Sequence, residues 1–304
     1  NLACKGCYAR TQHPQIEAEM PPEKLRSVVS EAESLGVSII MVAGGEPLTR
    51  PEVLDIAGEH PGVIFPLFTN GLLIDDAVID HLRRNRNIVP VLSIEGHQSE
   101  TDLRRGEGVH AHALATMERL RAAGVFFGTS LTVTRQNHNL VTVRAFLERM
   151  LERGCRLFLY VDYVPVQPGT ECLTMTQAQR DEEARRLTVY RKELPGLFVA
   201  FPGDEEMYGG CLAAGRGFVH VSPSGRLEPC PFAPYSDVSL QDVSLREALR
   251  SRFLATIRES DEHLGESNGG CALWERRGWV QSVLHATTAI EGAHVVEGAA
   301  LAAD

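Results

Sequence analysis

The chain has no block of basic residues, no apolar run long enough to span a membrane, and no even set of cysteines. Thirty Lys and Arg stand against forty Asp and Glu, for a formal net charge of −10 and a pI near 5.6. Without clustered positive charge, binding through long rows of phosphate contacts is excluded, so nucleic acid is not an expected partner. The lack of a membrane-length apolar run or a signal-peptide pattern predicts a soluble, cytoplasmic protein without a membrane partner. Seven cysteines in 304 residues do not make a secreted disulfide framework. They point instead to thiolate ligands in a reducing compartment. No two histidines sit at a pairing distance on a predicted helix, and His13, His97, His110, His138 and His220 are given no role.

What is there begins at the first residue. Asn1-Leu2-Ala3-Cys4-Lys5-Gly6-Cys7-Tyr8 places two thiols three positions apart around a glycine turn, where both can converge on one metal ion or cluster. Zinc sites and redox turns use the same pair. After a polar loop, Ala9 to Met20, Pro21-Pro22-Glu23 suits a helix start, and Leu25, Val28, Val29, Ala32 and Leu35 recur at helical spacing until Gly36. Val37 to Val42 reads as a strand buried on both faces and runs into Ala43-Gly44-Gly45-Glu46-Pro47. Taken alone, that turn also reads as an ordinary strand-to-helix connection.

The helix–strand unit then repeats. Predicted strands at Val63–Phe68, Ile88–Ile94, Val125–Val133 and Arg156–Val164 alternate with helices Glu52–Gly58, Ile74–Arg83, Val109–Ala123 and Val141–Arg153. Such alternation means parallel pairing, an α/β fold. Past Pro168-Gly169 the pattern changes to a long charged helix, Met175 to Leu194, most of whose charges suit a solvated face. From Gly209-Gly210-Cys211 the alternation stops. Phe218–Val221, Ser222-Pro223-Ser224-Gly225 and Arg226–Pro229 read as strand, tight turn and strand, followed by Cys230.

The Cys-x2-Cys pair and the Gly-Gly-Glu-Pro turn together resemble the radical S-adenosylmethionine (radical SAM) superfamily, whose signature is Cys-x3-Cys-x2-Cys followed by that turn. Asn1-Leu2-Ala3 fits the x3 spacer, which places the expected first signature cysteine just before Asn1 and makes the chain an expected N-terminal fragment. The resemblance implies a partial parallel (β/α)6-type TIM barrel with its first strand missing. It also implies chemistry at the carboxyl ends of the strands, a SAM-binding 4Fe-4S cluster on Cys4 and Cys7, and S-adenosylmethionine as cofactor. Gly44, Gly45, Glu46 and Pro47 would contact the methionine amino group, and Asn70, Ser93 and Glu95 would line the same mouth. Arg105 resembles the arginine that reaches the S-adenosylmethionine carboxylate, a task suited to guanidinium. A solvent-exposed helix start is the competing reading of Arg104 and Arg105. Gly6 departs from the family, which usually has an aromatic residue before the last cysteine.

Cys211-x13-Gly225-x4-Cys230 resembles the opening of SPASM and twitch domains, which hold auxiliary iron–sulfur clusters. The hairpin would bring Cys211 and Cys230 to one side, with Cys271 of Asn268-Gly269-Gly270-Cys271 as the third. The further Cys-x2-Cys-x5-Cys-x3-Cys run of a full SPASM domain is absent, which leaves one auxiliary 4Fe-4S cluster. Zinc or simple burial are the other readings of these three. Cys155 reads as core, and Cys172 is undecided. The expected layout is a barrel over 1–170, a connecting helix and linker over 171–208, a twitch-like β-hairpin plus helix domain over 209–284 and a tail over 285–304. The substrate would be a peptide or small molecule, and a flavodoxin or ferredoxin would donate electrons. The alternative function is a non-catalytic cysteine-bound metal protein, zinc-structural or electron-transferring.

Overall fold

The computed structural model describes residues 1–12, 18–265 and 271–300, with side chains through 289. His13, Asn268 to Gly270 and the last four residues of the expected tail lie outside the described residues. Two compact units are formed, the first from residues 1–12 and 32–204 and the second from 18–31, 205–265 and 271–300. No helix of the described residues is long and apolar enough to cross a membrane.

The first unit is built on a five-stranded parallel sheet in sequential order: β1 (Phe65–Thr69), β2 (Ile88–Ile94), β3 (Gly128–Val133), β4 (Leu157–Asp162) and β5 (Leu197–Phe201). β2 is buried at every position, as its near-continuous apolar run requires when both faces are covered. Helix α1 (Tyr8–Gln12) precedes the strands, α2 (Pro22–Ser34) belongs mainly to the second unit, and α3 (Glu52–Gly58), α4 (Asp76–Arg84), α5 (Gln98–Arg105), α6 (Val109–Ala122), α7 (His138–Val141), α8 (Arg144–Glu152) and α9 (Gln177–Glu193) alternate with the strands. Local signals set several starts. Asp75 accepts the N–H of Val78 at 2.9 Å to cap α4, and Thr176 and Gln179 close a reciprocal box at the start of α9.

One face of the sheet gathers Val89, Val91 and Leu159, with Phe68, Leu157, Val199 and Phe201 packed against them. Side chains alternate along a strand, so Ser93 and Glu95 carry this face onward from Val91, and Tyr163 carries it onward from Leu159. The other face meets helices: Phe158 stacks on Phe198 at 4.9 Å, and the Tyr160 hydroxyl donates to Val141 O at 3.2 Å.

Three expectations are corrected. Residues 38–42 do run parallel beside β1, through Ile40 N to Ile64 O and Val42 N to Pro66 O, but as isolated bridges rather than a strand. Among the described residues this segment pairs on one side only, with β1, and Ile39 (51% exposed) and Met41 (48%) are exposed instead of being buried on both faces. The alternation also runs one unit further than the sequence suggested. α9 leads into β5, which pairs in parallel with β4, because Leu197-Phe198-Val199-Ala200-Phe201 is a short apolar run between Gly196 and Pro202. Finally, the loop expected from Ala9 starts as helix α1, whose first turn is closed by Thr11 donating through N and Oγ1 to Cys7 O.

In the second unit, β6 (His220–Val221) and β7 (Leu227–Glu228) form the expected antiparallel hairpin, closed by Gly225 N donating to Ser222 O. His220 Nδ1 lies 2.7 Å from Glu228 Oε2 across the two strands. Short helices α10 (Leu245–Ala248), α11 (Arg252–Arg258), α12 (Asp261–Leu264) and α13 (Ala272–Glu275) precede the long α14 (Arg277–Ala300). Phe253, Leu254, Ile257, Leu264, Leu273 and Val280 are wholly buried and make its core.

Candidate active site

The Cys4–Cys7 turn is anchored to the end of α5. Lys5 N donates to Arg104 O at 2.9 Å, and Arg104 Nε donates back to Lys5 O at 3.2 Å. A cleft of about 450 Å³ opens over the turn, lined by Cys4, Gly6, Cys7, Arg10, Thr11 and Gln167. Both thiols are free and partly exposed.

Glu95 sits under this turn with its side chain 4% exposed, and two arginines bind it. Arg104 Nη1 donates to Oε1 at 2.6 Å, while Arg105 forks across both oxygens at 2.7 Å. Burial works against the Arg105 charge. Glu95 and then the Cys4 and Cys7 thiols outweigh it, so the guanidinium is held more firmly protonated than usual. Two guanidiniums against one carboxylate leave one positive charge beside the thiols, which favours anionic ligands there. Arg105 and Glu95, both expected to serve the cofactor, are here bonded to each other. Arg104 adds a third bond to Glu95, and neither arginine is the solvent-exposed residue of the competing reading.

Glu46 is turned inward. Its carboxylate accepts Thr69 Oγ1 at 2.8 Å, Asn70 N at 2.9 Å and Leu48 N at 3.2 Å, and the residue is 5% exposed. These bonds clamp the Gly-Gly-Glu-Pro turn onto the end of β1. They also leave the carboxylate little freedom to serve a ligand, so the backbone of Gly44 and Gly45 is what the turn presents outward. A Cβ on either glycine would meet nothing within 4 Å, and Gly44 holds φ at +141°. That combination is an open cradle for close backbone approach. Pro47 is buried and starts the short turn Pro47–Thr49. Asn70 is fixed by Asn1, whose Oδ1 accepts Asn70 Nδ2 at 2.9 Å, and by Leu72 N. Ser93 is buried on the sheet face that leads to Glu95. Ser130 pairs with Ser93 in register and extends the same polar floor; its position in an alternating strand was the available signal.

The second cysteine group differs. Cys211, Cys230 and Cys271 are free, and burial is the main force raising all three thiols. It takes Cys211 to about 11 and Cys271 to about 12, and Cys230 is pushed well above its ordinary value. Cys271 and Cys211 add to the rise at Cys230, and Cys211 adds to that at Cys271. Among the described residues, however, no three His, Cys, Asp or Glu side chains already stand at metal-holding spacing. Glu205, which the sequence reading passed over, joins this group. It is 8% exposed, accepts Leu212 N at 2.9 Å, acts electrostatically on Cys211, and burial raises its carboxyl too. Cys155 is buried in the core, as expected, and Cys172 is exposed.

Residues 1–150 match the Radical SAM superfamily. An AdoMet-dependent heme synthase of Methanosarcina barkeri is 28% identical over 295 residues, covering 88% of this chain and 84% of that protein. The mycofactocin maturase MftC of Mycobacterium tuberculosis is 26% identical over 298 residues, covering 89% of this chain and 75% of that protein. Among solved structures, Streptococcus suis SuiB bound to S-adenosylmethionine superposes with a TM-score of 0.71 at 18% identity, over 85% of this chain. The chain spans 65% of the SuiB chain. Residues 1–150, about half of the chain, are a radical SAM superfamily domain. The protein is an enzyme, and its parallel α/β sheet is the partial barrel of its structural neighbours.

Proposed function

We propose that the protein binds a 4Fe-4S cluster through Cys4 and Cys7, cleaves S-adenosylmethionine reductively and abstracts hydrogen from a peptide substrate. The observation that carries this reading is the pinned Cys4–Cys7 turn with a net positive charge beneath it and the open Gly44–Gly45 backbone on the neighbouring strand end. A bound cluster with S-adenosylmethionine would supply the radical chemistry, and the protein supplies orientation, electrostatics and exclusion of water. Cys4 and Cys7 are the thiolate donors. Gly44 and Gly45 offer backbone carbonyls to the amino group, and Glu46 and Pro47 hold that turn in place. Arg105, already forked on Glu95, presents cationic charge toward a carboxylate, and Asn70 and Ser93 floor the mouth. An external low-potential donor, a flavodoxin or ferredoxin, in a reducing cytoplasmic compartment completes the reading.

The twitch-like assignment of the second unit, with one auxiliary 4Fe-4S cluster on Cys211, Cys230 and Cys271, is part of the proposal. Its support is the hairpin and the influence of Cys211 and Cys271 on the buried Cys230 thiol. A peptide substrate is favoured because MftC is named a maturase, another relative is a PqqA peptide cyclase, and SuiB was solved with its precursor peptide SuiA. A small metabolite, specifically a porphyrin, is the second reading, favoured by the heme synthase relative.

The test is anaerobic reconstitution followed by reduction with S-adenosylmethionine. Release of 5′-deoxyadenosine supports the reading, and a preparation that takes up only zinc and never cleaves S-adenosylmethionine ends it. Incubation with candidate precursor peptides or with iron coproporphyrin then separates the two substrate classes by product mass.

A further inference from the structure

Tyr163 ends against Gly6. A Cβ built on Gly6 would stand 2.6 Å from the Tyr163 hydroxyl oxygen and 3.0 Å from ring carbon Cε2. Tyr163 is 4% exposed, and its hydroxyl is buried with no hydrogen-bond partner among the described residues. A buried hydroxyl without a partner is uncommon in native proteins and calls for an explanation, since a phenylalanine would fill the same space without an unmade bond. Two further features give the direction of the missing partner. Tyr163 continues the sheet face that carries Leu159, and its backbone N–H donates to Val133 O, so the ring is held at the carboxyl end of the strands. Gly6 is the residue between the two thiols, and it holds φ at +65°, so both its conformation and its missing side chain are what let the hydroxyl come so close to the turn.

We propose that Tyr163 is a positioning residue whose hydroxyl donates a hydrogen bond to the cofactor assembly held at the Cys4–Cys7 turn. The acceptor is a sulfur of the cluster or a polar atom of S-adenosylmethionine. This inference rests on the functional reading above and adds a residue that no motif marks. A hydrogen bond to a cluster sulfur stabilises the added negative charge of the reduced state and raises its potential.

The test is Tyr163→Phe in the full protein, with three measurements: the cluster midpoint by electron paramagnetic resonance titration without S-adenosylmethionine, the affinity for S-adenosylmethionine, and the melting temperature before reconstitution. If the acceptor is a cluster sulfur, the variant holds about tenfold less reduced cluster at a fixed solution potential, about 59 mV for a one-electron couple. If the acceptor is S-adenosylmethionine, the midpoint stays and the affinity falls about tenfold, the loss of one hydrogen bond to a buried partner. Gly6→Ala, whose methyl would displace the hydroxyl, is expected to reproduce whichever change is seen while keeping the tyrosine. An unchanged midpoint and affinity with equal or higher melting temperature overturns the inference. A parent protein that loads no cluster overturns the functional reading and this inference with it; a parent that loads normally beside an indistinguishable variant sinks this inference alone.

Discussion

The two cysteine groups differ in spacing and in what acts on their sulfurs, although Cys211 and Cys271 are partly exposed like Cys4 and Cys7 and only Cys230 is buried. Cys4 and Cys7 lie three residues apart on a partly exposed turn beside a cleft, with arginine charge close by. Cys211, Cys230 and Cys271 come from distant points of the chain, and burial dominates their chemistry. Their nearest carboxylate, Glu205, is itself buried and raised. An open site beside a cationic pair suits a centre that must admit a small charged molecule. A closed set of protonated thiols suits a centre that is loaded once and kept, because deprotonating buried thiols is unfavourable unless a metal supplies the compensating charge. The comparison can therefore be broken by showing that the two groups respond alike.

The largest expected effect is at the open turn. Replacing Cys4 and Cys7 by alanine is expected to abolish S-adenosylmethionine cleavage, since no thiolate of the described turn then remains to hold the cluster. Release of 5′-deoxyadenosine at the parent rate from the double variant would show that the turn is not the site. Next is the closed group. Alanine at Cys211, Cys230 and Cys271 together is expected to remove about half the iron while leaving part of the uncoupled cleavage, because an auxiliary centre tunes electron flow or holds substrate. Equal iron content and an unchanged paramagnetic spectrum would make these three packing cysteines and the second unit a plain capping subdomain.

A smaller effect is expected at Glu46. Glu46→Gln puts an amide where three donors converge, so at least one buried N–H or hydroxyl loses its acceptor at a cost of about 1–3 kcal/mol. The turn then loosens from the end of β1. Chemical denaturation should show the loss of stability, and S-adenosylmethionine binding should weaken with it. Weakened binding at full stability would instead mean that the carboxylate touches the ligand directly, against the inward geometry.

Much of the open site was legible because its residues are local signals. The Cys-x2-Cys spacing, the Gly-Gly-Glu-Pro turn and the strand-end polar residues are each readable within a few positions, and the alternation of apolar runs gave the parallel sheet. The misses have physical reasons. Val37–Val42 has the composition of a central strand, and only its neighbours decide that it lies at an edge with Ile39 and Met41 exposed. β5 was hidden because it is short and follows a long charged helix. The inward turn of Glu46, the part played by Arg104 and the approach of Glu205 to Cys211 depend on residues far apart in sequence, for which no periodicity gives a sign. Tyr163 is the extreme case: its relation to Gly6 spans nearly the whole first unit, and the glycine is visible in the sequence only as a departure from the family pattern.

The smallest effect tests the physical premise of the comparison, that burial is the leading force raising ionisable groups in this protein, at a place with no cysteine ligand. Asp162 at the end of β4 and Glu183 on α9 are 8% and 4% exposed, and burial raises their carboxyls to about 7 and about 8, with repulsion from Asp162 and Asp204 adding at Glu183 and a weaker opposing pull of Arg180 on Asp162. Their folded values lie above the unfolded ones, so the folded state keeps protons that the unfolded state releases. The stability they support is complete below about pH 4 and is lost as pH rises through about 7 to 8. Denaturation of the parent is therefore expected to show stability falling between pH 5 and 8, with a slope of at most about 1.4 kcal/mol per pH unit for each such proton. Glu183→Gln, neutral at every pH, should reduce that slope and make the variant relatively more stable at pH 8 than at pH 5. The same slope in parent and variant would mean that water or rearrangement relieves the buried carboxyl. The argument from burial at Cys211, Cys230 and Cys271 would then lose its footing, and the contrast between an open and a closed sulfur site would rest on spacing alone.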